Sequence, residues 1–283
     1  MIGAPALAAR AAIRAGAGLA RLVMPAPIIE SGLALCPFAT GVALAVYDEG
    51  GIVPHLAAEE FDRQVEGCRC VVVGPGLGVS EGTRALSLRA VQQDQTPVVV
   101  DADAINALAE VPELSRDFRA AAVLTPHPGE FSRIARAFRI TRDPVAPADR
   151  PRAAEELAQR LGCIVVLKGA NTVVSDGHRT WTSTSGHACL ATGGSGDVLG
   201  GVIAGLIAQH VRLEPAAIAA ARAKAGMGAP PTFGLFEAAQ VAVEAHARAG
   251  ERWAKSTGRD AGLLPEELAD IIPDVLASMR SRA

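Results

Sequence analysis

Four short aliphatic runs, each closing on a glycine, a charged residue or a threonine, constrain this chain more than any other feature. Residues 70–74 (CVVVG) lead into a glycine-rich turn and a helical pattern over about 81–93. Residues 97–101 (PVVVD) lead into a helix beginning near Ala104. Residues 121–125 (AAVLT) run into PHPGE and a helix near 129–138, and residues 163–168 (CIVVLK) follow a helix at about 152–161. Strands alternating with helices at this spacing predict βαβ units and a parallel sheet. Such strands are buried on both faces, which is why they read as continuous aliphatic runs rather than alternating ones. The composition agrees: 49% of residues are hydrophobic but only 4% aromatic, so the core is built from Ala, Val, Leu and Ile.

Residues 172–184 (TVVSDGHRTWTST) behave differently. Two β-rich runs flank Asp176-Gly177, a hairpin turn signal, and predict an antiparallel hairpin at the edge of the sheet. A loop and a long apolar helix follow, then helices at about 214–225, 236–254 and 265–281, the first two joined by the Pro/Gly-rich AGMGAPPTFG. The chain shows no internal repeat and no disordered linker, so residues 1–283 read as one domain.

A net charge of −3 and a pI near 6.1 carry no nucleic-acid footprint. Cys36, Cys68, Cys70, Cys163 and Cys189 are odd in number and follow no disulfide framework, which points to a reducing compartment. Cys68 and Cys70 form a C-x-C without partner ligands at metal-binding spacing. Arg10 and Arg14 interrupt the apolar N-terminal run, so it lacks the core of a signal peptide. No uncharged apolar stretch approaches ~20 residues. The expectation is a soluble, cytoplasmic protein that engages neither membrane nor nucleic acid.

The chemistry concentrates in Thr192-Gly193-Gly194-Ser195-Gly196-Asp197, directly before the apolar helix Val198–Gln209. Glycines let backbone approach a ligand closely, successive N–H groups can form an anion-binding nest, and a helix N-terminus adds free donors and the positive end of its dipole. Gly193, Gly194, Ser195 and Gly196 are therefore the candidate anion hole. Asp197, in the first turn, is the candidate base, kept ionised by the dipole. The segment is not a Walker loop, because no Gly-Lys-Ser/Thr follows. Nor is it a nucleophile elbow, because Asp197 stands where G-x-S-x-G needs glycine.

Lys168-Gly169-Ala170-Asn171-Thr172 ends a buried-type strand with a cation and small residues, suited to donor phosphates. In Thr125-Pro126-His127-Pro128-Gly129-Glu130 two prolines fix the backbone around His127, at the crevice where open α/β sheets bind ligands. Gly74-Pro75-Gly76-Leu77-Gly78 lacks the spacing of a dinucleotide fingerprint. Asp101, Ala102, Asp103 and Asn106 follow the next strand; the two carboxylates fit either a magnesium-water shell or helix capping by Asp103.

TGGSGD followed by VLGGVIAGLIAQ resembles the anion-hole motif of the ribokinase-like superfamily in the form found in NAD(P)H-hydrate dehydratases. Agreeing in order and spacing are GAPALAARAAIRAGAGLARLVMP (3–25), VVVGPGLG (71–78), PVVVDADAINAL (97–108), VLTPHPGEFSRI (123–134), VVLKGANTVV (165–174) and LLPEELADIIP (263–273). The resemblance implies a three-layer sandwich with a mostly parallel central sheet, helices on both faces and an antiparallel edge hairpin. It implies that ADP, or ATP as in eukaryotic members, phosphorylates the ring hydroxyl of S-NADH-hydrate or S-NADPH-hydrate, with Mg2+, before phosphate leaves.

By the same resemblance Lys168, Gly169, Ala170, Asn171, Thr172 and Gly196 contact the nucleotide, and Ala4, Gly76, Gly78, Asp101, His127 and Asp197 contact the hydrated cofactor. Glu130 takes the place of a carboxylate near metal-bound phosphates in related kinases. Homo-oligomerisation and a separate NAD(P)H-hydrate epimerase are implied too.

Three departures stand against the pattern. The family's N-terminal strand is missing before Gly3, His187-Ala188-Cys189 replaces an Asn and small residues, and residues 224–235 look inserted. The alternatives are a ribokinase-like kinase acting on a hydroxymethylpyrimidine or thiazole alcohol, and a catalytically silent nucleotide-binding protein.

Overall fold

The computed structural model describes residues 1–213 and 233–280. From the start of the chain run α1 (Gly3–Arg14), β1 (Arg21–Pro25), α2 (Ile29–Leu35), β2 (Thr40–Leu44) and α3 (Pro54–Val65). β3 (Val71–Val73), α4 (Glu81–Gln92), β4 (Val98–Val100), α5 (Asp103–Leu108), α6 (Leu114–Asp117) and β5 (Ala122–Leu124) come next. α7 (Pro128–Ala137), α8 (Arg150–Leu161), β6 (Ile164–Leu167), β7 (Val173–Ser175), β8 (Thr180–Thr182) and α9 (Ser195–His210) follow. The last described helices are α10 (Leu235–Thr257) and α11 (Pro265–Arg280). The helix expected at 214–225, and most of the segment that looks inserted, lie outside the described residues.

The main sheet has the order β3-β4-β5-β6-β7-β8, with β3 to β6 parallel and β7 and β8 antiparallel. The edge hairpin turns through Asp176-Gly177-His178-Arg179. The Asp176 carboxylate accepts from the N–H groups of His178 and Arg179 at 2.9 and 2.6 Å, so an Asx-type turn closes it.

Three layers follow from the pleat and from handedness. Val98 and Val100 of β4 point into one core with Leu124, Val165 and Leu167, while Val99 points into the other with Val123, Val166 and Val174. Because β3 to β6 are neighbours in sequence order, right-handed crossovers put their connecting helices on one face. α4, α5, α7 and α8 accordingly cover the first core. The second core is closed by helices from the chain's two ends: α1, then α9, α10 and α11. No described helix is long and apolar enough to cross a membrane.

α9 is apolar all round because it is covered all round. Its Gly201 and Gly205 lie directly on α1: a β-carbon at Gly201 would fall 2.2 Å from the Ala8 carbonyl oxygen, and one at Gly205 would fall 2.6 Å from that of Ala12. Backbone cannot yield as a flexible side-chain tip does. Gly201→Ala is therefore expected to lower stability by ~1–3 kcal/mol, read as a lower denaturant midpoint. Gly18→Ala, which meets nothing within 4 Å, is the control expected to stay near wild type.

β1 and β2 form a separate two-stranded parallel sheet. With α1 and α2 they enclose a small satellite core of Ala6, Ala9, Leu22, Met24 and Cys36. No periodicity in residues 20–66 predicts it.

Candidate active site

Each parallel strand delivers its candidate residue at its carboxyl end, the edge at which open α/β sheets bind ligands. β3 runs into Gly74–Gly78, β4 into Asp101, β5 into Thr125-Pro126-His127, and β6 into Lys168. Across this edge lies the N-terminus of α9. Gly194 there holds a left-handed conformation (φ 89°) that an L side chain resists. The turn sends the Ser195 N–H back to the Thr192 carbonyl at 3.3 Å, and Val198 N–H bonds the Gly194 carbonyl at 3.0 Å. The N–H groups of Gly196 and Asp197 are left as first-turn donors without a partner among the described residues. They are what an anion would take.

Beneath this turn lies an ion pair joining residues 67 apart in sequence: Lys168 Nζ donates to Asp101 Oδ1 at 2.6 Å. Asp101 is 1% exposed, and its Oδ1 also accepts the Ala102 N–H at 2.9 Å. Lys168 Nζ lies 3.8 Å from Glu130 Oε2. Glycines on one face of α9 make room for the pair. A β-carbon at Gly196 would sit 3.4 Å from Lys168 Nζ, and one at Gly200 would sit 3.5 Å from Asp101 Oδ2.

The charges in this pocket do not balance. Burial draws the Lys168 pKa down, but Asp101, Glu130 and Asp197 outweigh it and hold the ammonium above its ordinary range. Burial pushes the Glu130 carboxyl up, against the pull of Lys168 and the His127 N–H. Asp197 is pushed up to about 6, first by burial, then by the Asp101 charge, with Lys168 opposing. The dipole argument alone expects a more acidic carboxyl; desolvation and a like charge outweigh it. Asp197 remains mostly ionised at neutral pH, as a stronger base than an ordinary aspartate.

His127 caps α7. Its Nδ1 accepts the N–H groups of Gly129 and Glu130 at 3.0 and 3.2 Å, and Glu130 Oε2 accepts the His127 N–H at 2.8 Å, completing a capping box. The side chain is 55% exposed and Nε2 lies 3.3 Å from Glu130 Oε1, so the ring's outer edge faces the crevice from a fixed position. Asp103 caps nothing: its Oδ2 accepts the Gly78 N–H at 2.7 Å, tying α5 to the loop after β3. Ala4, at the start of α1, is buried, and its β-carbon lies 3.3 Å from where one at Gly76 would stand. Ala4, Gly76, Gly78, Asp103 and Asp101 thus form one wall.

The loop Lys168–Thr172 bends from β6 into β7. Gly169 and Asn171 have positive φ, and Thr172 Oγ1 donates to the Gly169 carbonyl at 2.9 Å. It is braced by Arg150, a residue sequence reasoning missed. The buried Arg150 guanidinium donates to the carbonyls of Pro144, Leu167 and Lys168 at 2.6, 2.9 and 3.2 Å. Pro128, Val145, Arg150, Gly169 and Asn171 line a pocket beside it. Nothing in RPRAAEEL marks Arg150 apart from a surface arginine at a helix start.

A helix terminus presenting free donors above a half-buried lysine, at the carboxyl edge of a three-layer α/β sandwich, places the protein in the ribokinase-like class. Within that class it belongs to the NAD(P)H-hydrate dehydratase family, whose profile matches residues 1–274. The chain is similar to the solved ADP/ATP-dependent NAD(P)H-hydrate dehydratase of Bacillus subtilis, with 28% identity, a TM-score of 0.74, and coverage of 98% of this chain and 87% of that one. It is 33% identical over 276 residues to the ADP-dependent (S)-NAD(P)H-hydrate dehydratase of Xanthomonas campestris, covering 97% of this chain and 83% of that protein. It is 38% identical over 234 residues to the bifunctional NAD(P)H-hydrate repair enzyme of Salinibacter ruber, covering 82% of this chain but 42% of that protein. The chain spans less than half the length of several such bifunctional relatives.

Proposed function

We propose that this chain uses an adenine nucleotide to return S-NADH-hydrate or S-NADPH-hydrate to NADH or NADPH, the reaction named for its X. campestris and B. subtilis relatives. The observation that carries the reading is Asp197: a half-buried carboxylate with its pKa raised to about 6, in the first turn of α9 among free N–H donors and beside Lys168.

The ring hydroxyl oxygen attacks the terminal phosphorus of the nucleotide while its proton passes to Asp197. The bond from phosphorus to the bridging oxygen breaks, giving AMP from ADP or ADP from ATP. The free N–H groups of Gly196 and Asp197 and the Lys168 ammonium hold the moving phosphoryl group, where most of the catalysis of such transfers lies. The ring carbon–oxygen bond then breaks, phosphate departs, and loss of a ring proton restores the dihydronicotinamide. Lys168, Gly169, Ala170, Asn171 and Thr172 take the nucleotide. Ala4, Gly76, Gly78, Asp101 and His127 line the side taken by the hydrated cofactor.

Among the described residues no three His, Cys, Asp or Glu side chains converge as a metal-ligand cluster. The excess of carboxylates over Lys168 fits Mg2+ carried in on the nucleotide phosphates, largely through water, where it would neutralise charge on the transferred group. The reading treats residues 1–283 as one domain. It includes a homo-oligomer, partnership with an NAD(P)H-hydrate epimerase, supported by the bifunctional relatives, and a reducing, cytoplasmic setting, supported by five unpaired cysteines.

One inorganic phosphate per NADH formed, with matching conversion of ADP to AMP, is the expected stoichiometry. A stable phosphorylated alcohol without NADH would give the reaction to a small-molecule kinase instead. The pH profile is a second test. Protonated Asp197 cannot accept the hydroxyl proton, so kcat should fall about tenfold per pH unit below about 6. A flat kcat from pH 5 to 7 would remove Asp197 from the role of base.

A further inference from the structure

α10 carries a half-buried histidine that the reaction as described leaves unused. His246 Nε2 lies 3.0 Å from Ser195 Oγ and 3.0 Å from the Ser195 carbonyl oxygen, across 51 residues of sequence. Ser195 is itself buried and is the first residue of α9, within the candidate anion hole. Burial, with the Lys168 ammonium adding to it, draws the ring's pKa down to about 4 despite its bond to the Ser195 backbone. The ring is therefore neutral under working conditions, with one N–H to place.

The two contacts decide where that proton sits. A carbonyl oxygen only accepts. A bare Nε2 facing it at 3.0 Å would set lone pair against lone pair, so Nε2 carries the hydrogen and donates. The Ser195 hydroxyl beside it can then only accept from the ring, and its own proton is free to turn toward the anion hole.

We infer that His246 is a positioning residue that fixes the first turn of α9 and commits the Ser195 hydroxyl to donating a hydrogen bond to the transferring phosphoryl group. Ser195 thereby becomes a third donor alongside the N–H groups of Gly196 and Asp197. The inference deepens the proposed function and rests on it for the identity of the group bound.

The test joins a spectroscopic readout to a double-mutant cycle. In full-length protein with 15N-labelled histidine, His246 should show the neutral Nε2–H tautomer at pH 5; the Nδ1–H tautomer or an imidazolium there overturns the inference. In the cycle, His246→Leu should lower kcat for NADH-hydrate ~10–100-fold, the usual cost of losing a group that orients a first contact. KM for the nucleotide should change less than threefold.

His246→Gln, whose amide reaches the same place, should have a kcat at least threefold above that of His246→Leu. Thermal melts of both variants separate this from misfolding. Ser195→Ala should be slowed similarly, and adding His246→Leu to it should cost clearly less than His246→Leu costs wild type, because the hydroxyl it orients is gone and only the carbonyl contact remains. Independent, multiplying losses would mean that His246 acts only by packing and would overturn the proposal. If wild type leaves NADH-hydrate unchanged, the proposed function fails by itself, and the inference is then read on the His246 tautomer alone, where the Nδ1–H form overturns it.

Discussion

Asp197→Asn should abolish turnover and raise the melting temperature of the protein. The first half follows from the loss of the only proton acceptor in the first turn of α9, a loss of ~10²–10⁴-fold in kcat. ADP should still bind within a few-fold of wild type, since the free N–H groups and Lys168 remain. The second half follows from the direction of the pKa shift. A carboxyl raised from its ordinary 3.8 to about 6 contributes stability only while protonated. That contribution is complete below about pH 4 and is lost as the pH rises through about 6. At neutral pH the ionised Asp197 therefore weighs against the fold. The shift sets a ceiling of ~3 kcal/mol, which partial contact with solvent reduces to ~1–2 kcal/mol. A domain of this size should gain ~2–6 °C. Calorimetry at pH 7 and pH 4.5 checks the sign: the gain should shrink at the lower pH. A melting temperature unchanged or lowered at pH 7 would show that Asp197 is not held against its own charge.

Lys168→Met should do the opposite. It leaves Asp101, Glu130 and Asp197 facing one another without the ammonium that Asp101 holds at 2.6 Å. Removing one member of a buried pair typically costs ~3–5 kcal/mol. The loss should be larger at pH 8 than at pH 5, because the raised carboxyls of Glu130 and Asp197 can take up protons at the lower pH. ADP affinity should drop ~10–100-fold with the loss of a charge-assisted contact. Adding Asp101→Asn should restore at least half of the stability without restoring ADP affinity. Denaturant titrations and calorimetric binding on the two variants separate these effects. If Lys168→Met is as stable as wild type at pH 8, the pair does not carry the electrostatics assigned to it.

The sequence makes the catalytic edge of the fold legible because parallel strands leave a strong local signature. CVVVG, PVVVD, AAVLT and CIVVLK each contain a strand of the main sheet, and the residue that ends each run stands at its carboxyl edge. The glycine run before α9 is local too, and its turn forms within a few residues. The contacts that tune the site are not local. The bonds of Lys168 to Asp101, Gly78 to Asp103 and Ser195 to His246 form only once separate elements pack. Nothing near His246 in VAVEAHARAG sets it apart from a core histidine. The raised pKa of Asp197 escapes for the same reason, since burial and Asp101 belong to the assembled core. Residues 20–66 hide β1 and β2 because β2 is largely exposed and a small satellite core is all that the pair covers, so neither the alternating nor the continuous apolar pattern appears.

Absorbance at the reduced-nicotinamide band tests the central claim most directly, with full-length protein, NADH-hydrate, Mg2+, and ADP or ATP in parallel. The expected result is a rise that needs a nucleotide, identifies the preferred donor by its rate, and disappears in Asp197→Asn. A folded protein that binds ADP yet gives no rise with either donor, or a rise that proceeds without nucleotide, would contradict it.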